Sequence, residues 1–219
     1  MSKKSRTPKF PDSYLGKEAE DYDSSNWMER NQKKTAVSCV QYLFDEKFKN
    51  FGGKDVQRNF PYLILDLGCG TGFSSEVLIE NGFRVIGVDM LIDMLSKAIQ
   101  KKKDFSSSSI FELILADINY LPFRINSIDH IVSISAYNFI LHEKRELREK
   151  RKTLSNTARN LSEILKKNGR IIIEFYPESD RELDLFTQSF KYNEFNGFCV
   201  KNNPDQKSGQ TFLLLEKER

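Results

Sequence analysis

A run of closely spaced glycines constrains the fold of this chain more than any other feature. The short apolar run at residues 62–67 leads into the motif DLGCGTG at residues 66–72. Glycines between a buried strand and a helix let backbone amides approach a ligand without a Cβ in the way. The spacing is G-x-G-x-G, and Phe73 stands where the dinucleotide-binding fingerprint needs a glycine. A plain strand-to-helix turn also uses glycine, so the ligand must be inferred from further residues.

Strand-like and helix-like segments alternate after this turn. Apolar runs predict strands at residues 62–67, 84–89, 110–116, 128–135 and 170–176. Helices are predicted between them, and the last ends near Lys167 with Gly169 as its C-terminal cap. Two further runs, 197–201 and 211–216, close the chain. This order predicts an α/β, Rossmann-like fold, with a mostly parallel seven-stranded sheet between helices and an antiparallel C-terminal hairpin at one edge.

Length and composition indicate one domain behind a basic arm. The chain has 219 residues, and we place the domain at residues 25–219 and the arm at residues 1–24. No apolar run reaches the roughly 20 residues that span a bilayer, and the amino terminus lacks the apolar core of a secretory signal. Three widely spaced cysteines argue against disulfides or a metal site and favour a cytoplasmic protein.

Three aspartates follow consecutive predicted strands, at the edge where open α/β sheets bind ligands. Asp66 ends the first strand, Asp89 the second, and Asp117 the third. Asp89 lies close to the offset of roughly 20 residues at which an acid meets a ribose diol. Asp117 can accept a hydrogen bond from an adenine amino group, while the amide of Ile118 faces the ring. Asp66 can pair with an ammonium group, so the three acids predict S-adenosylmethionine, which has no pyrophosphate, as the cofactor.

Residues beyond these motifs resemble a narrower family. The glycine loop and the three aspartates, with Asn119–Phe123 after Asp117, look like class I methyltransferases. The residues of the narrower family lie upstream at Tyr14–Gln32, in the stretches Ile131–Phe139 and Glu174–Glu178, and in the closing strands. These stretches resemble the eukaryotic and archaeal enzymes that methylate guanine N7 in small-subunit ribosomal RNA. The resemblance covers nearly the whole chain and implies a class I methyltransferase fold and a role in ribosome biogenesis. Eukaryotic members carry a basic C-terminal extension, whereas this sequence ends at Arg219, which favours an archaeal-type member.

The motifs and the resemblance together indicate the cofactor-binding residues. An amphipathic helix is predicted upstream of the first strand, from about residue 25 to 48, and in such enzymes this helix closes over the cofactor. The candidates are Asp66, Gly68, Cys69, Gly70, Gly72, Asp89, Met90, Asp117, Ile118 and Ser135, with Trp27 and Gln32 from the upstream helix. For Trp27, packing within the domain is the alternative role.

Acceptor candidates lie at the ends of the fourth and fifth predicted strands. Guanine N7 is a lone pair without a proton, so its methylation needs alignment more than a general base. The two histidines are expected to be structural, and the chain lacks the Asn-Pro-Pro-Tyr type of motif that serves exocyclic amines. Aromatic and amide groups here can stack a flipped base and bind its edge, or belong to the core. The candidates are Tyr137, Asn138, Phe139, Tyr176 and Pro177, with Glu178 beside them.

Ribosomal RNA as a substrate requires positive charge for contact with phosphates. The amino-terminal arm and Lys33–Lys34 are the stronger candidates, and Lys101–Lys103 is a further one. The segment Lys144–Lys152 is also basic, but glutamates interleave with its lysines and arginines at helical pairing distance. That pattern predicts a solvated face held by salt bridges.

The third predicted strand, Ile110–Ala116, is expected at an edge of the sheet with only Glu112 to discourage pairing. Related enzymes work with a small zinc-binding activator that adds a strand to this edge, so the resemblance implies a heterodimer with such a subunit. The serine loop at residues 106–109 is the alternative cover. Two other functions also stay open: methylation of a small molecule, and a catalytically silent scaffold for ribosome assembly.

Overall fold

The computed structural model describes residues 9–51, 53–58, 60–105, 110–142, 144–177, 179–202 and 210–218. The α-helices are α1 (Lys17–Asp23), α2 (Asn26–Leu43), α3 (Phe73–Glu80), α4 (Ile92–Lys102), α5 (Leu147–Ile164) and α6 (Asp180–Lys191). The strands are β1 (Leu63–Leu67), β2 (Arg84–Asp89), β3 (Phe111–Leu115), β4 (Ile128–Ile134), β5 (Leu165–Phe175), β6 (Phe195–Lys201) and β7 (Thr211–Lys217). Short 3-10 turns span Asp12–Tyr14, Glu46–Phe51 and Tyr137–Leu141. No helix among these residues has the length and apolar character needed to cross a membrane.

The seven strands form one sheet in the order β3-β2-β1-β4-β5-β7-β6. Strands β1 to β5 pair in parallel, and β7 runs antiparallel between β5 and β6. The connection after β1 leads to β2 on one side, and the connection after β4 leads to β5 on the other side. The space between the carboxyl ends of β1 and β4 is therefore the topological switch point, where such sheets bind ligands. The order confirms the predicted Rossmann-like sheet and its antiparallel hairpin. It also places β3 at one edge, as predicted.

Helices cover both faces of the sheet. Leu65 and Leu67 of β1 point into a core layer with α5 and α6, and Ile64 points into the opposite layer with α2 and α3. Successive side chains of a strand face opposite sides, so Asp66 lies on the same face as Ile64, toward α3. A central parallel strand is buried on both faces, which is why β1 appears in the sequence as a continuous apolar run.

The boundary between α5 and β5 differs from the prediction. Helix α5 ends at Ile164, and Leu165 already has an extended backbone (φ −77°, ψ 134°) and pairs with Ile128 of β4. A helix to Lys167 with a cap at Gly169 is therefore wrong. The pairing with β4 outcompetes another helical turn, and Gly169 serves a close approach, since a Cβ there would lie 2.5 Å from Leu165 Cγ.

The amino-terminal segment is folded onto the carboxyl edge of the sheet. Helix α1 lies on α4, and ion pairs join Lys97 to Glu20 (3.4 Å) and Lys101 to Asp23. Residues 1–8 of the predicted arm lie outside the described residues. The described remainder, up to residue 24, is packed rather than loose, because its side chains find partners that are distant in the sequence.

Candidate cofactor and acceptor site

The glycine loop between β1 and α3 has a backbone conformation that glycine adopts most readily. Gly68, Gly70 and Gly72 all have positive φ, at 70°, 56° and 89°. Space is also short, because a Cβ at Gly68 would lie 2.2 Å from the Cβ of Ala136. The amide of Gly70 donates to Oδ2 of Asp89 (3.0 Å), which joins the loop to the end of β2. The loop therefore presents backbone groups at the carboxyl edge of the sheet.

Asp66 lies near the end of β1, fully buried and facing α3. Its Oδ2 accepts hydrogen bonds from Ser74 Oγ (2.7 Å) and Ser75 Oγ (2.6 Å). Its Oδ1 is buried and has no hydrogen-bond partner among the described residues. Burial outweighs the two hydroxyl bonds and raises the pKa of this carboxyl to about 6. An unpartnered buried acceptor costs free energy, so the site favours a ligand that donates to Oδ1.

The two serines that hold Asp66 are functional residues that sequence reasoning missed. Ser74 and Ser75 are consecutive residues in the first turn of α3, which begins directly after Gly72. Both hydroxyls reach Asp66 because the loop turns the helix back over the strand end. The sequence did contain a signal for this role: two consecutive serines lie at the start of the helix that follows a strand with an aspartate near its end.

Asp89 and Asp117 continue the line of carboxylates along the same edge. Oδ1 of Asp89 accepts from the amide of Leu91 (2.9 Å), and burial raises the pKa of Asp89. The amide of Ala116 donates to the carbonyl of Asp89 (3.0 Å), which joins β3 to β2 at this end. Oδ1 of Asp117 accepts from N and Nδ2 of Asn119 (2.8 and 3.0 Å). Each carboxylate oxygen can accept two bonds, so both groups keep capacity for a ligand.

Helix α5 holds the loop after β3 in place through Asn119, another residue that sequence reasoning did not single out. Thr157 Oγ1 donates to Asn119 Oδ1 (2.6 Å), and Asn160 Nδ2 donates to the Asn119 carbonyl (3.1 Å). The same loop brings Ile118 to the glycine turn, with its Cδ1 3.8 Å from the position of a Cβ at Gly68. Gly68 after β1 and Ile118 after β3, both predicted cofactor residues, thus lie close together.

A buried carboxylate on β5 holds the end of β4. Ser135 has a positive φ of 54°, and its N and Oγ both donate to Oε2 of Glu174 (2.8 and 2.7 Å). Gln210 Nε2 donates to Oε1 of the same carboxylate (3.3 Å). The position of Ser135, a predicted cofactor contact, is therefore determined by Glu174, which no sequence motif marked as a site residue.

The remaining cofactor candidates have different surroundings. The side chain of Cys69 is buried against β2, because a Cβ added at Gly87 would lie 2.8 Å from its Sγ. Only the backbone of Cys69 is therefore available to a ligand. Met90 is about half exposed at the end of β2. Trp27 is 61% exposed in the first turn of α2, which excludes packing in the core as its role. Gln32 lies further along the same helix, and the roles of Trp27 and Gln32 toward the cofactor stay predictions.

An acceptor rim forms where β4 and β5 end. Asn138 Nδ2 donates to the carbonyl of Tyr176 (2.9 Å), and the amide of Tyr176 donates to Asn138 Oδ1 (3.1 Å). These two bonds hold Asn138 at the rim and leave its amide one N–H and one lone pair, so its contact with a base edge stays a prediction. Phe139 and the half-exposed Tyr176 present aromatic groups, and Pro177 follows. Glu178 lies outside the described residues.

Aromatic side chains of the amino-terminal segment cover this rim. Phe10 stacks on Phe139 with ring centroids 4.6 Å apart and planes inclined by 17°, and Tyr14 meets Phe139 edge-on at 5.7 Å. Tyr22 of α1 stacks on Phe73 at the start of α3 (6.2 Å), and burial raises the pKa of its phenol. The sequence placed Phe10, Tyr14 and Tyr22 in the predicted arm. These three aromatic residues stand in a polar segment without the regular spacing of apolar residues that predicts a buried helix or strand.

Comparison with known proteins agrees with this geometry. A family model described as a methyltransferase domain matches residues 65–173, from the glycine loop to β5. The 18S rRNA (guanine(1575)-N(7))-methyltransferase of Saccharomyces cerevisiae is 32% identical over 66% of this chain and 51% of its own length. The 18S rRNA (guanine-N(7))-methyltransferase of Arabidopsis thaliana is 30% identical over 71% of this chain and 52% of its own length. Residues 65–173 form a methyltransferase domain by the match to the family model. The chain spans about half the length of the curated relatives it matches.

Solved methyltransferase structures share the fold. The magnesium protoporphyrin IX methyltransferase of Synechocystis PCC 6803, solved with bound S-adenosylmethionine, has a TM-score of 0.65 at 17% identity, over 94% of each chain. The Haloferax volcanii complex between the Trm112 methyltransferase activator and a methyltransferase gives a TM-score of 0.61 at 13% identity. That match covers 90% of this chain and 96% of the other. These similarities confirm the predicted methyltransferase fold.

Tyr137 is not part of the acceptor rim. Its ring is fully buried beside Phe186 and Phe190 of α6, with centroids 5.6 and 5.7 Å away. Consecutive residues of the 3-10 turn point to different sides, so Asn138 and Phe139 reach the rim while Tyr137 enters the core. This corrects the prediction of Tyr137 as an acceptor residue.

The hydroxyl of Tyr137 is buried and has no hydrogen-bond partner among the described residues. We expect Tyr137→Phe to raise the free energy of unfolding by about 1 kcal/mol, because it removes a desolvated hydroxyl. Turnover should be unchanged, since the hydroxyl faces the core. Denaturant unfolding and a methyl-transfer assay measure the two effects, with Tyr176→Phe as the matched change at the rim. If Tyr137→Phe is stable but inactive, this prediction is wrong and Tyr137 acts in the acceptor site.

The methyltransferase rim offers no side chain arranged as a general base among the residues described. His130 lies on β4 near the amino edge, where its Nδ1 accepts from the amide of Arg170 (3.0 Å), and burial lowers its pKa to about 4. His142 packs edge-on against the ring of Phe10 (5.0 Å). Burial, and secondarily the charge of Glu174, raises the pKa of the Tyr176 phenol, which therefore keeps its proton at neutral pH.

Proposed function

We propose that this chain transfers the methyl group of S-adenosylmethionine to guanine N7 in small-subunit ribosomal RNA, as a step of ribosome biogenesis in the cytoplasm. One observation carries the proposal: an aromatic rim adjoins a carboxylate-lined cofactor site, and no described residue of the rim is arranged to accept a proton. That combination suits an acceptor that is a flat base with a bare lone pair. The curated relatives named as 18S rRNA (guanine-N7)-methyltransferases support the same acceptor.

The cofactor assignment follows from the carboxylates at the strand ends. The unpartnered Oδ1 of Asp66 accepts the ammonium group, which satisfies a buried acceptor and compensates a buried negative charge. Asp89 accepts from the ribose hydroxyls, and Asp117 accepts from the adenine amino group beside Ile118. The open backbone at Gly70 leaves room for the cofactor between these acids. S-adenosylmethionine supplies a methyl group on a positively charged sulfonium.

The rim then aligns the acceptor. Phe139 provides a stacking surface for the flipped guanine, and the paired bonds between Asn138 and Tyr176 keep β4 and β5 at a constant separation there. The N7 lone pair forms the new carbon bond as the bond to sulfur breaks, and no proton leaves the base. Phe10 occupies the same face of Phe139 in this structure, so the amino-terminal segment must shift before a base can stack.

The proposed function predicts a missing modification in cells that lack this protein. Mapping of N7-methylguanosine along their ribosomal RNA should show one small-subunit position unmodified, and the wild-type gene should restore it. With purified protein and saturating cofactor, kcat should stay constant from about pH 6.5 to 8.5, because no general base has to lose a proton. An unchanged modification map, together with turnover on a small molecule, would contradict the proposal in favour of the small-molecule alternative.

We further propose that β3 binds a small zinc-binding activator by adding a strand to the sheet. β3 is an edge strand in the described residues, and Ile110 and Leu115 are about half exposed there. An added strand would pair with the free backbone groups and cover both side chains. The Haloferax volcanii methyltransferase of the same fold, solved with an activator, supports this proposal. The alternative cover, the serine loop at residues 106–109, lies outside the described residues.

Leu115→Asp should abolish co-purification of the activator, because it places a charge in the apolar part of the new interface. The matched control is Ile125→Asp, an apolar residue that is also exposed but lies in the loop before β4. Phe111 is unsuitable as a test, since it is buried and packs on Phe105 (5.6 Å). Equal recovery of the activator with both variants would place the interface elsewhere.

A further inference from the structure

A polar groove opens on the far side of the loop that carries Asp117, between that loop and the first half of α5. Its volume of about 460 Å³ is in the range of small-ligand sites. Asn119 lines one side of the groove, and hydrogen bonds from Thr157 and Asn160 of α5 hold it in place. No residue of the glycine loop lines the groove, and Asp117 is the residue that it shares with the proposed cofactor site.

Basic residues outnumber acidic residues in and beside this groove. Residues 144–152 contain six basic and two acidic residues, a surplus of four charges, whereas the whole chain has a net charge of +3. The salt bridges predicted for this segment are not found among its described residues, which corrects that expectation. Lys144, Lys152 and Arg159 line the groove, and Arg159 donates only to the neutral side chain of Asn156 (3.3 Å). Two of the six basic residues, Lys144 and Lys152, thus line the groove, together with Arg159 from further along α5.

Two further features indicate what kind of ligand fits. Tyr120 lines the groove and is 80% exposed, so its ring is available for stacking. Lys144, at one end of the groove, follows the turn that carries Phe139, and its amide donates to the carbonyl of Leu141 (3.0 Å) at the end of that turn. Cations along a groove, together with an exposed aromatic ring, are the features that bind single-stranded nucleic acid.

We propose that this groove holds the single-stranded RNA next to the acceptor nucleotide. Lys144, Lys152 and Arg159 contact its phosphates, and Tyr120 stacks one of its bases. The inference rests on the proposed function, since it assigns a path to the RNA whose guanine is methylated. Asp117 and Glu149 also line the groove and repel phosphate, so the phosphates of the strand lie at the three cations.

The test measures binding of a single-stranded RNA of about 12 nucleotides, a length within the range such grooves hold, to the wild-type protein with any bound activator. Lys152→Ala/Arg159→Ala should weaken binding at least tenfold. It should also reduce the slope of log affinity against log salt by about 1.4, because two phosphate contacts are lost. Tyr120→Ala should weaken binding about tenfold with an unchanged salt slope, since stacking carries no charge. Cofactor affinity should remain that of the wild type in both variants.

The matched control is Lys47→Ala/Lys191→Ala, which removes two exposed lysines at the amino edge of the sheet, and its RNA affinity should stay close to the wild type. If Lys152→Ala/Arg159→Ala binds RNA as this control does while the wild type methylates ribosomal RNA, the groove proposal is wrong and the function stands. If the wild type neither binds nor methylates RNA, the proposed function fails. RNA binding that depends on the groove cations, without methylation, would support the groove and reject the acceptor.

Discussion

Asp66→Asn should lower the affinity for S-adenosylmethionine by roughly 100-fold or more, as expected when one partner of a buried charge pair is lost. The substitution keeps the size of the side chain, and its amide oxygen can still accept from Ser74 and Ser75. It removes the charge that would pair with the ammonium group, and it can place an NH2 group where the unpartnered Oδ1 lies. Isothermal calorimetry with purified protein measures the loss.

The same variant has an opposite effect on stability, with a defined pH dependence. Burial raises the pKa of Asp66 from 3.8 to about 6, so the folded state binds its proton more tightly than the unfolded state. The resulting stabilisation is fully present below about pH 4 and is lost as pH rises toward 6, a change of about 3 kcal/mol. Asp66→Asn should remove this dependence and unfold at a higher denaturant concentration at pH 7. The cofactor affinity of the wild type should have the opposite pH dependence to its stability and should weaken as pH falls through 6.

The matched control for Asp66→Asn is Asp129→Asn, at the opposite edge of the sheet. Asp129 accepts from the amide of Leu63 (2.8 Å) and pairs with Lys166 (2.7 Å). This variant should lose stability and keep wild-type cofactor affinity, because its carboxylate holds the fold and not a ligand. Wild-type affinity in Asp66→Asn would remove Asp66 from the cofactor site.

Gly70→Arg should abolish cofactor binding. Gly70 has a φ of 56°, and a Cβ there would lie 3.3 Å from Met94 Cε, so a large side chain must leave the loop toward the cofactor. The change also strains the backbone and disturbs the amide that bonds Asp89 (3.0 Å). Calorimetry should detect no binding, while circular dichroism should still show a folded chain.

Gly82→Arg separates these two causes. Gly82 follows α3 with a φ of 83° and has no atom within 4 Å of an added Cβ, so the same substitution causes similar backbone strain away from the site. The strain costs roughly 1–2 kcal/mol of folding free energy in either variant. Cofactor affinity should survive in Gly82→Arg, and equal losses in the two variants would mean that strain, and not bulk at the cofactor, removes binding.

The sequence by itself determined the sheet and the line of acids at its carboxyl edge. Local rules suffice for these features. A strand that ends in G-x-G-x-G must turn into a helix, and parallel strands bring their ends to one edge. Asp66, Asp89 and Asp117 therefore had to lie together, whatever the packing elsewhere. The position of β3 at an edge and the hairpin of β6 with β7 followed from the order of elements in such folds.

Only the tertiary structure decided which side chains of the acceptor region face the rim. Tyr137, Asn138 and Phe139 are adjacent, and a 3-10 turn has no sequence period that tells a buried aromatic from an exposed one. Tyr137 is buried because α6 presents phenylalanines to it, and Asn138 is held at the rim because β5 ends beside it. Both neighbours come from elements more than 30 residues further along the chain.

Long-range partners also decided the remaining differences between sequence and structure. Helix α5 stops at Ile164 because β4 offers Leu165 a strand partner, which outweighs the helical preference of the lysines that follow. The amino-terminal segment is ordered because Phe10 and Tyr22 find rings on distant elements. Lys152 and Arg159 of α5 line a groove formed with the loop after β3. In each case the deciding contact joins residues far apart in sequence, where propensity and spacing carry no information.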